Sequence, residues 1–119
     1  MPAFADVRRI CLALPEVEEV VTWGTDLTFR VRGKIFAIGA EGSDGVSIKA
    51  SLESQADLLA LDAETFRKSA YVGRFGWVTV DLGRVDESHL EDLLRAAWRM
   101  TAPKRVVAAL DEQAGQTRG

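Results

Sequence analysis

Phe4, Val7, Ile10, Cys11 and Leu14 recur at helical spacing, with Asp6, Arg8 and Arg9 falling between them. The pattern predicts an amphipathic helix that ends near Leu14, because Pro15 disfavours helical geometry in the residue before it. The acidic residues Glu16, Glu18 and Glu19 then lead into Val20-Val21-Thr22-Trp23 and a Gly24-Thr25-Asp26 turn. From Leu27 the period changes to two: Leu27, Phe29 and Val31 point one way and Thr28, Arg30 and Arg32 the other, as in a half-buried strand. Gly33-Lys34 reads as a tight turn into a second strand, Ile35 to Ala40. The turn-rich run Glu41-Gly42-Ser43-Asp44-Gly45 precedes a third, Val46 to Lys49.

Ser51 or Ser54 is suited to cap a helix carrying Leu52, Ala56, Leu59 and Ala60. Lys68 to Val72 is expected as an edge strand, Gly73 to Gly76 as a tight loop and Trp77 to Leu82 as a further strand. Asp86 is a good N-cap for a helix lined by Leu90, Leu93, Leu94, Ala97 and Trp98, and Pro103 suits the start of a last helix through Val106, Val107 and Leu110. The expected fold class is α+β, an antiparallel sheet of about four to five strands with helices packed on one face.

At 119 residues, 47% hydrophobic and 28% charged, the chain has the size and composition of one globular domain. That domain is expected to span residues 1–111, with a flexible polar tail over 112–119. The lone Cys11 excludes an intrachain disulfide. Arg8 and Arg9 interrupt the first apolar stretch, and no run approaches the ~20 apolar residues that a bilayer requires, so a cytoplasmic protein without membrane contact is expected. The formal net charge of −3 means that any nucleic-acid role has to come from a local patch.

In order along the chain, Trp23-Gly24, Phe29-Arg30-Val31, Gly33-Lys34-Ile35-Phe36-Ala37, Ser47-Ile48-Lys49, Tyr71, Gly76-Trp77, the Leu90 to Trp98 helix and Ala102-Pro103-Lys104-Arg105 resemble the MmcQ/YjbR family of small bacterial proteins. The resemblance covers roughly Phe4 to Leu110. It implies a compact α+β fold similar to frataxin-like and type III secretion chaperone-like domains. Members of that family often carry the label DNA-binding, in part from a proposed double-wing arrangement of hairpins, and the resemblance brings no catalytic residues with it.

Arg30, Arg32 and Lys34 belong to one predicted hairpin, which would present three cations to phosphates, and Lys49, Arg74, Lys104 and Arg105 would extend that surface. The plainer reading is that outward sheet positions are normally polar and keep edges soluble. Trp77, Tyr71 and Trp23 stand near glycines, where a base or flat ligand could stack, although such aromatics more often fill core gaps. Trp77 alternates with Val78 and Val80, which places it outside the main core.

A Cys11–His89 nucleophile pair is a poor prospect, since Cys11 lies on an apolar helix face. The acids Glu16, Glu18, Glu19, Asp57, Glu91 and Asp92 suggest metal binding only by analogy of fold and otherwise read as solvated surface. HExxH, GxGxxG, P-loop and GxSxG patterns are missing, so no enzyme, cofactor or metal is expected. The leading expectation is a small DNA-binding protein, monomeric or weakly dimeric. The alternative is a protein-interaction or chaperone-like adaptor with an exposed aromatic patch, which would bind a protein partner.

Overall fold

A computed structural model describes residues 2–22 and 24–117 of the chain. The elements run α1 (Phe4–Leu12), β1 (Val17–Thr22), β2 (Asp26–Val31), β3 (Lys34–Gly39), β4 (Gly45–Ile48), α2 (Leu52–Leu61), β5 (Phe66–Lys68), a 3-10 turn (Gly73–Phe75), β6 (Val78–Asp81), α3 (Glu87–Thr101) and α4 (Lys104–Thr117). The six strands form one antiparallel sheet in the order β1-β2-β3-β4-β6-β5. It is an α+β fold, with one strand more than the pattern predicted.

Cross-strand partners face the same side of a sheet. Pairing Phe29 with Ala37, Ala37 with Ile48, Ile48 with Val78 and Val80 with Val46 and Phe66 therefore gathers one continuous apolar face. Onto it α3 lays Leu90, Leu94, Ala97 and Trp98, all fully buried, and α1 adds Phe4, Val7, Ile10 and Cys11. The indole N–H of Trp98 donates to the Pro15 carbonyl at 3.0 Å, joining α3 to the segment that enters β1. The other face pairs Glu18 with Arg30, Val20 with Thr28, Thr28 with Ile38, Ile38 with Ser47 and Ser47 with Thr79, and helices do not cover it.

Five local details depart from the sequence pattern, the first being that the edge strand expected over Lys68 to Val72 is β5 at Phe66–Lys68, which leaves Tyr71 in the loop that follows. The strand β1 takes in Glu18 and Glu19, in a stretch for which the pattern named no strand. Glu19 lies on the helix side and pairs with Arg8 of α1 at 2.7 Å, so the acid is matched rather than left in water. The β2–β3 turn is Arg32-Gly33, with φ of 52° and 79°, the double positive φ of a type I′ hairpin, one residue earlier than expected. On α2 it is Gln55 and Leu58 that are buried, while Leu52 is exposed. The fourth helix runs on to Thr117, into the polar stretch expected to be a tail.

Replacing Trp98 by Phe keeps most of the apolar volume but leaves the Pro15 carbonyl without its donor. The expected loss is about 1–3 kcal/mol, read as a lower urea midpoint. Burial also pushes the Cys11 thiol above its ordinary value. Ellman's reagent should leave Cys11 unmodified in the native protein at pH 8 and titrate it once urea unfolds the chain; rapid native labelling would contradict the buried placement.

Candidate nucleic-acid interface

The hairpin cations separate because the turn falls one residue early, and a single-residue slip exchanges sheet faces. Arg30 stays on the open face, cross-strand from Ile35 and Glu18. Its Nε donates to the Thr28 hydroxyl and its Nη2 to the Thr22 hydroxyl, each at 3.0 Å, while the Thr28 hydroxyl donates to the Val20 carbonyl. Lys34 pairs with the buried Val31 and so starts from the opposite side. Arg32 occupies the turn and is bound by Glu16 at 2.5 Å. That hydrogen bond holds the Glu16 carboxyl below its usual range, with further help from Arg105. Arg32 and Arg105 thus meet at the Pro15–α4 corner around a carboxylate. Lys104 stands beside Arg105 at the start of α4.

The expected surface of Arg30, Arg32, Lys34, Lys49, Arg74, Lys104 and Arg105 is therefore dispersed over at least three places. A second group of cations flanks the edge strand β5 and the loop after it, with Arg67 on the open face beside Thr79 and Lys68 on the helix side beside Val78. From Thr65 to Val80 the chain contains Arg67, Lys68 and Arg74 and no Asp or Glu. Among the described residues none of these three has a carboxylate within ion-pair distance, whereas Arg8, Arg9, Arg32, Arg84, Arg95 and Arg99 all do. Lys68 packs against Gly73, and the Ala50 carbonyl packs against Gly76, which sets Lys49 beside the same loop. Arg67 is the cross-strand partner of Thr79 on the open face and borders a shallow depression of about 450 Å³ that also contains Asp26 and Asp44.

The loop is held rigidly from below. Gln55 of α2, 4% exposed, donates through Nε2 to the carbonyls of Gly73 at 2.7 Å and Trp77 at 2.9 Å. The amides of Gly73, Phe75 and Gly76 donate to Ser69, Val72 and Gly73 carbonyls within the loop. Gly76 has φ of 108°, and any Cβ there would strike the Ala50 carbonyl oxygen. Out of this frame project Tyr71, 96% exposed, and Phe75, 62% exposed, with the Arg74 guanidinium 4.8 Å from the Phe75 ring centre. Tyr71 adopts φ of 64°, a left-handed conformation that costs a bulky residue on the order of 1–3 kcal/mol.

Trp77 does lie apart from the main apolar cluster, but it is only 8% exposed, so little of its ring is open to a stacking base. Trp23 lies outside the described residues. Of the two that are described, Tyr71 is the one presented to solvent. Phe75, Arg67, Lys68 and Gln55 went unnoticed by motif reading, although the acid-free stretch from Thr65 to Val80 was visible as a charge pattern.

The remaining candidates fare less well. His89 packs edge-on against Phe66 at 5.4 Å, and Cys11 is sealed in the core. Among the described residues no group of His, Cys, Asp and Glu is placed to hold a metal ion, and no helix is long and apolar enough to cross a membrane. Between α2, α3 and the sheet an apolar crevice of about 70 Å³ is bordered by Leu58, Leu93 and Met100.

The YjbR family model matches residues 12–100, which take in everything from the end of α1 to the last turn of α3, and the chain belongs to that family. The structure is also similar to the crystal structure of Deinococcus radiodurans protein DR2400, a domain of the DUF419 family model, with a TM-score of 0.77 and 25% sequence identity over 84% of this chain and 78% of that one. No curated protein matches the chain.

Replacing Gln55 by Leu keeps its bulk but strips the Gly73 and Trp77 carbonyls of their donor. The expected cost is about 1–3 kcal/mol, with faster hydrogen exchange at the Gly73, Phe75 and Gly76 amides. Unchanged exchange in the Leu variant would show that the loop holds itself.

Proposed function

We propose that this YjbR-family chain is a non-enzymatic nucleic-acid-binding protein whose contact surface is the β5–β6 loop with Lys49, and not the β2–β3 hairpin. The observation that carries this reading is the segregation of charge pairing. Arginines on α1 and α3 are matched by carboxylates, while Lys49, Arg67, Lys68 and Arg74 are not. Arg30, Lys34, Lys104 and Arg105 also lack an ion pair among the described residues, but they are spread over separate places, whereas Arg67, Lys68 and Arg74 belong to one acid-free stretch. A phosphodiester backbone offers the matching charge at regular spacing, and each ammonium or guanidinium that meets a phosphate releases condensed counterions. These contacts position a strand without reading its bases.

A protein-interaction adaptor is the rival reading, and the exposed Tyr71 and Phe75 speak for it as well. The unmatched cations beside those rings favour the polyanion, since an apolar partner surface would leave them desolvated and unpaired.

Four phosphate contacts predict a slope of about −3 to −4 in log affinity against log salt. In fluorescence anisotropy with labelled DNA, micromolar binding at low salt is expected to weaken along that slope. Replacing Lys49, Arg67, Lys68 and Arg74 together by Ala should abolish it, and Arg30→Ala with Arg32→Ala should change it little. Binding that survives the fourfold change, or that depends on Arg30 and Arg32, would place the interface elsewhere; no binding at low salt would remove nucleic acid as the partner.

A further inference from the structure

Resting on that reading, we infer that the β5–β6 loop selects single-stranded over double-stranded nucleic acid, with the rings of Tyr71 and Phe75 as stacking platforms for unpaired bases and Lys68 and Arg74 as the phosphate contacts between them. The argument starts from what these side chains do for the fold. Tyr71 is almost wholly exposed, so its ring contributes next to nothing to the core, yet its backbone is held at a φ of 64° that glycine would occupy without strain. A residue that strains the chain and packs against nothing is unaccounted for by folding. Phe75, four residues on in the same loop, likewise exposes most of an apolar ring to water, without the backbone strain.

Mobility does not explain the exposure either. Gln55 ties the loop at two carbonyls, the internal amide bonds close it, and Gly76 is pressed against Ala50. The two rings are therefore presented on a fixed backbone, which lowers the ordering cost of whatever stacks on them. The Arg74 guanidinium lies over one face of the Phe75 ring, so a base would stack on the opposite face or on the guanidinium plane itself, with the charge close to the flanking phosphate.

The chemistry of the partner follows from this pairing of groups. Bases in a duplex offer their faces only to one another, so aromatic platforms add nothing to duplex binding, whereas a single strand has both a free π-face and a phosphate at every nucleotide. An acidic protein segment would satisfy the cations but not the rings, and an apolar one the rings but not the cations. Both are met together by an unpaired strand.

The test compares a labelled 15-nucleotide oligo-dT, the same strand in duplex with oligo-dA, and inorganic polyphosphate as competitor. Tyr71→Gly and Phe75→Ala are introduced singly and together, and urea midpoints are read alongside. Tyr71→Gly should leave the midpoint unchanged or raise it, which separates loss of binding from loss of fold. The expected result is tighter binding of the single strand than the duplex, about tenfold loss of single-strand affinity per ring removed, and duplex affinity unaltered. Equal affinity for both forms, insensitive to Tyr71 and Phe75 and competed fully by polyphosphate, would overturn the single-strand inference while leaving the cationic surface intact. Failure of either oligonucleotide to bind at low salt would overturn the nucleic-acid reading itself.

Discussion

The burial of Trp98 against the sheet is the contact on which the rest of the molecule depends. A tryptophan removes roughly 150–250 Å² from water, which at about 25 cal/mol per Å² is several kcal/mol from one side chain. Its indole N–H is satisfied by the Pro15 carbonyl, so the same residue that seats α3 also fixes where the chain turns into β1. With α1 and α3 both on that side, most of the strands' apolar positions are used there, although Val20, Ile35 and Ile38 remain on the open face. The open face is left to side chains that satisfy one another: Thr22, Thr28 and Arg30 at one end, and Ser47, Ser69 and Thr79, bonded at 3.0–3.2 Å, at the other.

A core of this kind is what allows the β5–β6 loop to keep a strained tyrosine. The loop contributes little to the apolar cluster, and it is fastened to α2 by a single buried amide. Gln55 occupies a helix position where the apolar pattern had suggested Leu52, Ala56 and Leu59 as the inward face. The helix has rotated its polar residue inward because two loop carbonyls, Gly73 and Trp77, would otherwise be buried without donors, and an unmade bond of that type outweighs the gain from burying one more leucine.

Most of the architecture was legible from period and punctuation: the first helix up to Pro15, the β2–β3–β4 meander, a serine cap on α2, Ser51 of the two candidates Ser51 and Ser54, and the long helix with Leu90, Leu94 and Trp98 inward. The misses share a cause. Glu18 and Glu19 hid β1, since nothing local announces that Glu19 will meet Arg8 of another element. The hairpin turn slipped by one residue because Arg32 accepts a positive φ beside Gly33, which alternation alone does not reveal, and the three hairpin cations then no longer share a face. Tyr71 and Arg74 stand out in the sequence, yet the reason for interest in them, a shared loop with Phe75, depends on a tertiary tie from Gln55.

Net charge is a poor guide to what such a loop meets. The molecule extends 40 × 33 × 28 Å, while at physiological ionic strength charges are screened over about 8 Å. Among the described residues, eight of the chain's 18 acids lie within ion-pair distance of an arginine, and none of those arginines belongs to the stretch from Thr65 to Val80. A strand lying along Lys68, Tyr71, Arg74 and Phe75 is several screening lengths from much of that surface and feels chiefly the unmatched cations beneath it. Two facts about the sequence, an acidic whole and an acid-free stretch from Thr65 to Val80, therefore describe different length scales, and binding is decided at the shorter one.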